Sequence, residues 1–222
     1  IQETDNANVR QPRVSVASQV SGRVVEVDVA ENGRVKAGDV LFVIDPEPYR
    51  IALAQAESAV AAARLNVEQL RAAYAQAVAQ EKVSAGDVGY YQGELDRQSA
   101  LTAKGVGTKT ALDSARRDLE KAQEQHQVAV EAIEAARAAL GGDPAIETDR
   151  HPAVLAAAAT RDQQAYQLAQ TTVRAPADGI ISQASSFKSG QFVGIGSPLF
   201  SLVETGDTWI EANFKETQLT NM

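Results

Sequence analysis

Cysteine is absent from the 222 residues. Thiolate nucleophiles, Cys-ligated zinc, iron–sulfur clusters and disulfides are excluded with it. Histidine occurs only as His126 and His151, which argues against a multi-His metal site. Aromatic residues are few: five Phe, five Tyr and one Trp. A hydrophobic share of 44% therefore rests mainly on Ala, Val, Leu and Ile, which suits closely packed long helices better than a thick globular core. Cationic charge is also short, with 21 Lys and Arg against 29 Asp and Glu and a net charge of −8. No nucleic-acid partner is expected, because phosphate binding needs clustered cations. No run approaches the roughly 20 apolar residues of a membrane span. The densest, Ala153 to Ala159, is far shorter, and no signal peptide is visible before the polar start Ile1-Gln2-Glu3-Thr4-Asp5. The signatures G-x-S-x-G, G-x-x-x-x-G-K and H-E-x-x-H are all missing, so no enzyme and no catalytic residues are expected.

What is present is a change of period. Val14, Val16 and Val20, then Val25, Val27 and Val29, alternate with polar residues as half-buried strands do. Asn32-Gly33 and Ala37-Gly38-Asp39 are turn signals, Leu41-Phe42-Val43-Ile44 reads as a short buried strand, and Asp45-Pro46 ends it. From Pro48 the apolar positions fall at alternating spacings of four and three: Tyr49, Leu53, Ala56, Val60, Ala63, Val67, Leu70, Tyr74 and Ala77. The register continues through Glu81, Ser84, Val88, Tyr91 and Leu95, which makes a coiled-coil seam with a polar interruption. Gly105-Val106-Gly107-Thr108 breaks it. A second seam runs through Leu112, Ala115, Leu119, Ala122, His126, Ala129, Ile133, Ala136 and Leu140. Gly141-Gly142-Asp143-Pro144 interrupts that one, and His151-Pro152 starts a last helix with Val154, Ala158, Ala165 and Leu168 inward. An outgoing arm over 47–103 spans roughly 85 Å at 1.5 Å per residue. The return path over 108–170 matches it with a few residues to spare. Off-seam charges such as Glu57, Arg64, Glu68 and Arg71 read as solvated faces with i,i+3 or i,i+4 partners.

After residue 170 the period returns to two and the first segment recurs. Asp178-Gly179-Ile180-Ile181 echoes Ser21-Gly22-Arg23-Val24, and Gly190 follows Gly179 at the interval by which Gly33 follows Gly22. Val193, Gly196 and Leu199-Phe200 match Val35, Gly38 and Leu41-Phe42 with one residue inserted. Two β halves thus flank a helical insertion over 46–170, and the expectation is one small sandwich assembled from both.

This pattern resembles the HlyD family of periplasmic adaptors, or membrane fusion proteins. The resemblance rests on Val20-Ser21-Gly22-Arg23-Val24, on Val35-Lys36-Ala37-Gly38-Asp39-Val40-Leu41 and on Thr172-Val173-Arg174-Ala175-Pro176-Ala177-Asp178-Gly179. Glu211-Ala212-Asn213-Phe214-Lys215-Glu216-Thr217-Gln218-Leu219 is similar to the start of the following β-barrel in the EmrA-like branch, and Thr4-Asp5-Asn6-Ala7 fits that branch as well. The implied fold is α+β: a long antiparallel α-helical coiled-coil hairpin inserted into a split lipoyl-like β-sandwich, with the start of an incomplete β-barrel. The implied boundaries are 1–13 for a barrel strand, 14–45 and 171–204 for the lipoyl-like halves, 46–170 for the hairpin with its tip near 104–108, and 205–222 for the barrel start. The implied function is that of a periplasmic adaptor in a tripartite multidrug efflux pump, an antibiotic-resistance system of Gram-negative bacteria. Such a protein joins an inner-membrane major-facilitator transporter to a TolC-like outer-membrane channel. It works as a homo-oligomer, anchored in the inner membrane by an amino-terminal segment expected to precede this chain. Two other readings are an adaptor for a type I protein-secretion system and a periplasmic hydrophobic-drug-binding protein.

Arg97, Leu101 and Thr108 follow R-x3-L-x6-S/T across the Gly turn, an arrangement the resemblance implicates in docking to the channel. Leu101 offers an apolar knob, and Arg97 and Thr108 offer directed hydrogen bonds. The plainer alternative makes Arg97 a solvated charge, Leu101 the closure of the turn and Thr108 the N-cap of the return helix. Gly86, Gly89 and Gly93 each cost roughly 1 kcal/mol inside a helix. They read as a hinge, as part of a polar seam layer with Glu81, Ser84 and His126, or, the favoured expectation, as sites of close helix packing with a local kink. No cofactor is expected. A lipoate or biotin carrier needs a Lys between the halves, whereas 41–50 and 171–180 have none, and Lys36 and Lys188 lie in other turns.

Overall fold

The computed structural model describes residues 7–206 and 209–212. In chain order the elements are β1 (Ala7–Arg10), β2 (Arg13–Ala17), β3 (Gly22–Val27), β4 (Arg34–Val35), β5 (Val40–Ile44), α1 (Glu47–Ala103) and α2 (Lys109–Ala139). A 3-10 turn (Thr148–Arg150) follows, then α3 (Pro152–Ala169), β6 (Thr172–Arg174), β7 (Gly179–Ser182), β8 (Phe192–Val193), β9 (Pro198–Glu204) and β10 (Trp209–Ala212). The chain divides into two compact units, 1–55 with 161–222, and 56–160.

The first unit is a sandwich of two four-stranded antiparallel sheets, ordered β2-β9-β7-β4 and β6-β5-β3-β8. Each sheet holds a central pair from one half of the sequence, flanked on both sides by strands of the other half. Exchanging β2 with β6, β9 with β5, β7 with β3 and β4 with β8 converts one sheet order into the other. The internal repeat is therefore a two-fold relation in topology. Neither half completes a sheet alone.

Side chains from both halves fill the space between the sheets. Val16, Val24, Leu41, Phe42 and Ile44 meet Ile181, Phe187, Val193, Phe200 and Leu202 in one buried cluster. The rings of Phe42, Phe187 and Phe200 pack edge-on or tilted, with centroids 4.9 to 6.0 Å apart. The exchange extends into the turns, where the Glu31 carboxylate accepts the backbone N–H groups of Gln183, Ala184 and Ser185 at 2.9, 2.6 and 3.0 Å. Three convergent donors on one ionised acceptor make a strong clasp. Two recurring glycines are explained by close approach. A Cβ on Gly22 would lie 2.6 Å from Ile44 Cγ2, and one on Gly179 would lie 2.5 Å from the Val203 carbonyl oxygen. Beside the sandwich strands, β1 and β10 form an antiparallel ladder from Ala7↔Ala212 to Arg10↔Trp209. Residues 1–6, 207–208 and 213–222 of the expected barrel segments lie outside the described residues.

The second unit consists of paired helices. Asp45 accepts the Glu47 N–H at 3.1 Å and so satisfies one orphan donor at the start of α1. The seam over α1 and α2 is as the spacing requires: every position from Tyr49 to Leu95 and from Leu112 to Leu140 is buried or half-buried. Gln98 and Thr102 extend it to the tip. Val60, Val67, Leu140 and Val154 form its apolar centre, with Leu70 and Tyr74 packed against them. α2 ends in a Schellman arrangement, with Gly142 N–H to the Arg137 carbonyl and Gly141 N–H to that of Ala138, each at 3.0 Å.

His151, only 7% exposed, splices α2 to α3. Its Nδ1 accepts the Ala153 N–H at 3.2 Å, which assigns the ring proton to Nε2, 3.2 Å from the Ala139 carbonyl oxygen. The reading of Arg64 and Arg71 as solvated charges with local partners needs correction. Arg64 forms a two-pronged pair with Asp149 at 2.7 and 3.2 Å. Arg71 keeps its i,i+3 partner Glu68 but also donates to Thr148 Oγ1 at 2.9 Å and to the Ile146 carbonyl. These bonds tie the splice segment to α1.

Gly179→Ala is expected to cost about 1–3 kcal/mol, because backbone must move to admit the methyl group. Chemical denaturation of the purified protein measures this loss, and an unchanged midpoint would show that β7 and β9 are not held at that spacing.

Candidate functional site

At the tip, α1 closes on its own last carbonyls. Lys104 N–H reaches the Ala100 carbonyl at 3.2 Å, Gly105 N–H that of Thr102 at 3.0 Å, and the N–H groups of Val106 and Gly107 both reach Leu101, at 3.1 and 3.0 Å. Gly105 has a φ of +72°, which a side-chain-bearing residue rarely adopts. Thr108 is extended at φ −97°, ψ 145°, and its hydroxyl oxygen accepts the Ala111 N–H at 3.2 Å as the N-cap of α2. That bond uses a lone pair and leaves the hydroxyl proton for another acceptor. Arg97 is 67% exposed and paired with Glu94. Leu101 stands one turn further along the same face of α1. Its side chain is 38% exposed while its carbonyl anchors the turn. Val106, at the head of the turn, is 73% exposed. The R-x3-L-x6-S/T spacing does not include it, although an apolar residue between two glycines of a turn is a signal visible in the sequence.

Further along the arms the structure brings Glu81, Ser84 and His126 together. Ser84 donates its hydroxyl proton to the Glu81 carbonyl at 2.8 Å, so its oxygen is the acceptor for His126 Nδ1 at 3.2 Å. His126 Nε2 faces the Glu81 carboxylate at 3.8 Å. Ser84 is buried at a seam position and, with Glu81 and His126, interrupts an otherwise mainly apolar seam, the kind of layer that penalises any slip of one helix along the other. An open groove of about 560 Å³ lies beside it, lined by Gln80, Ser84, Asp87, Glu124, Val128 and Ala129 among others.

Close packing does not account for the three helix glycines. A Cβ built on Gly86, Gly89 or Gly93 meets nothing within 4 Å. The heptad register explains why. Gly86 and Gly93, with Ala72, Ala79 and Ala100, occupy the position furthest from the seam, and all of these are exposed. The outer face of α1 is thus bare of bulky and charged side chains at this position for more than four heptads. Among the described residues no group of three potential metal ligands comes together, and no helix is long and apolar enough to cross a membrane.

A strand-exchanged sandwich interrupted by a helical hairpin defines a scaffold of the membrane fusion type. The chain belongs to that family: residues 12–205 match the family model described as "RND MFP, barrel-sandwich hybrid domain". Among its relatives are the fatty acid resistance protein FarA of Neisseria gonorrhoeae and the multidrug export protein EmrA of Haemophilus influenzae. FarA is 36% identical over 220 residues, covering 99% of this chain and 55% of FarA. EmrA is 32% identical over 221 residues, covering 100% of this chain and 56% of EmrA. The chain therefore spans about half the length of the curated relatives it matches. Among solved structures, the membrane fusion protein Spr0693 of Streptococcus pneumoniae R6 shares the fold. Its TM-score is 0.54 at 16% identity, covering 100% of this chain and 72% of that one. The EmrA-like resemblance read from the sequence agrees with these relatives.

Replacing Gly86, Gly89 and Gly93 together with Ala is expected to stabilise the helices by roughly 1 kcal/mol per site. Thermal melting followed by circular dichroism measures the gain. A lower melting temperature would show that something unseen occupies the bare face and is displaced by the methyl groups.

Proposed function

We propose that this chain is the working part of a periplasmic adaptor in a tripartite efflux pump. In this reading the complete protein is anchored in the inner membrane of a Gram-negative bacterium. It joins a major-facilitator transporter there to a TolC-like outer-membrane channel. The observation that carries the reading is a 57-residue helix paired along a heptad seam with its return path, capped at the tip and inserted between halves of one sandwich. A scaffold of that kind supplies reach and stiffness. The names of FarA and EmrA, fatty acid resistance and multidrug export, support small amphipathic cargo. Energy for transport is assigned to the transporter.

Arg97, Leu101 and Thr108 are assigned to the surface that meets the channel. Capping and docking are compatible at Thr108, since the cap leaves its proton unspent. One tip offers far less area than a standard interface, so several copies around one channel supply the affinity together. Glu81, Ser84 and His126 are assigned to the register of the arms. Gly86, Gly89 and Gly93 are assigned to compliance of the outer helix, because nothing beside them resists bending.

The test uses the full-length protein in intact cells, with a photo-crosslinking residue at position 101 or at the mid-arm position Gln76. The expected outcome is an adduct with the outer-membrane channel, identified by antibody against that channel, from 101 and none from 76. Capture from 76 alone would overturn docking by the tip.

A further inference from the structure

We infer that Val106, with Lys104 and Lys109 beside it, is the anchor of the tip, and that its receptor is an apolar groove on the channel rimmed by carboxylates. The inference deepens the docking reading above and rests on it. Val106 is exposed to 73%, about twice Leu101 at 38%, in a turn whose other residues are glycine or polar. The turn is also rigid. Four backbone hydrogen bonds return it to the end of α1, and Thr102 Oγ1 donates to the Gln98 carbonyl at 2.8 Å beneath it. A Cβ on Gly107 would lie 2.7 Å from the Thr102 nitrogen, so the chain passes against α1 there and Val106 is left at the crest. An apolar side chain held in place before contact loses little conformational freedom on binding.

Charge selects the partner. In a chain of net charge −8, the segment from Gln98 to Leu112 carries Lys104 and Lys109 and no acid. Both lysines are exposed. A cationic collar around an apolar knob fits a groove with acidic edges. It steers approach by charge, while burial of the valine holds the contact.

The experiment measures binding of the full-length protein to a purified TolC-like channel in nanodiscs, across a range of salt concentrations. Val106→Ala is expected to weaken binding at least tenfold and Val106→Glu to abolish it. Val106→Leu should stay within threefold, with the melting temperature unchanged in all three. Lys104→Gln combined with Lys109→Gln should flatten the salt dependence, and Leu101→Ala should cost less than Val106→Ala. If the wild-type protein binds and Val106→Ala binds within twofold of it, the anchor is wrong and docking by the tip stands. Loss with Val106→Glu alone, and not with Val106→Ala, would likewise overturn the anchor. If the wild-type protein fails to bind at all, the docking reading falls and takes the anchor with it.

Discussion

The pairing of β5 with β6 is the constraint from which the rest follows. Val43 stands opposite Thr172, and the Ile44 N–H reaches the Thr171 carbonyl at 2.8 Å. These are the last strand before the helices and the first strand after them. A chain that leaves the sheet at Glu47 must therefore come back to the same place at Ala169. The Tyr49 hydroxyl, donating to the Ser21 carbonyl at 2.6 Å, and that of Tyr166, donating to Gln19 at 2.8 Å, secure the two roots. Helices whose ends are pinned together in this way run out and return over equal lengths. The seam then decides how tightly they lie together.

That seam changes character along its course. Between Val60 and Tyr74 it is aliphatic and closed, helped by Leu140 and Val154. Through Glu81, Ser84 and His126 it is polar, and near the tip it ends in Gln98 and Thr102. Burial of large apolar side chains supplies most of the stabilisation in such a pair, so the strongest grip lies around residues 60–74. Further on, the work falls to small side chains, a polar layer and the hydrogen bonds of the turn. The shape of that end is fixed by backbone bonds rather than by buried side chains.

Periodicity made most of this legible from the residues alone. A seam shows itself because each buried position repeats, and a split sandwich because Gly22 and Gly179 introduce the same phrase twice. Long-range partners left no such trace. Arg64 and Arg71 have acidic neighbours within a turn, so local pairing was the economical reading. Their decisive partners, Asp149 and Thr148, are 85 and 77 residues away. His151 looked like a helix start, and only coordinates place both ring nitrogens on backbone groups of two different helices. The glycines of α1 were misread although the signal existed. Counting the heptad outward from the seam puts Gly86 and Gly93 on its far side, where no partner helix lies to be approached.

The splice at 140–151 has a consequence for how such a protein can change its dimensions. An uninterrupted pair of helices tolerates insertion or deletion only in matched blocks, since one extra residue on either arm turns every following side chain by about 100°. Here one arm is jointed, and the joint is a loop fastened to the intact arm by Arg64 and Arg71. Residues can be added or lost within it without rotating α2 against α1. A difference in residue number between the two arms is thereby absorbed in the splice and leaves the heptad phase of the seam intact.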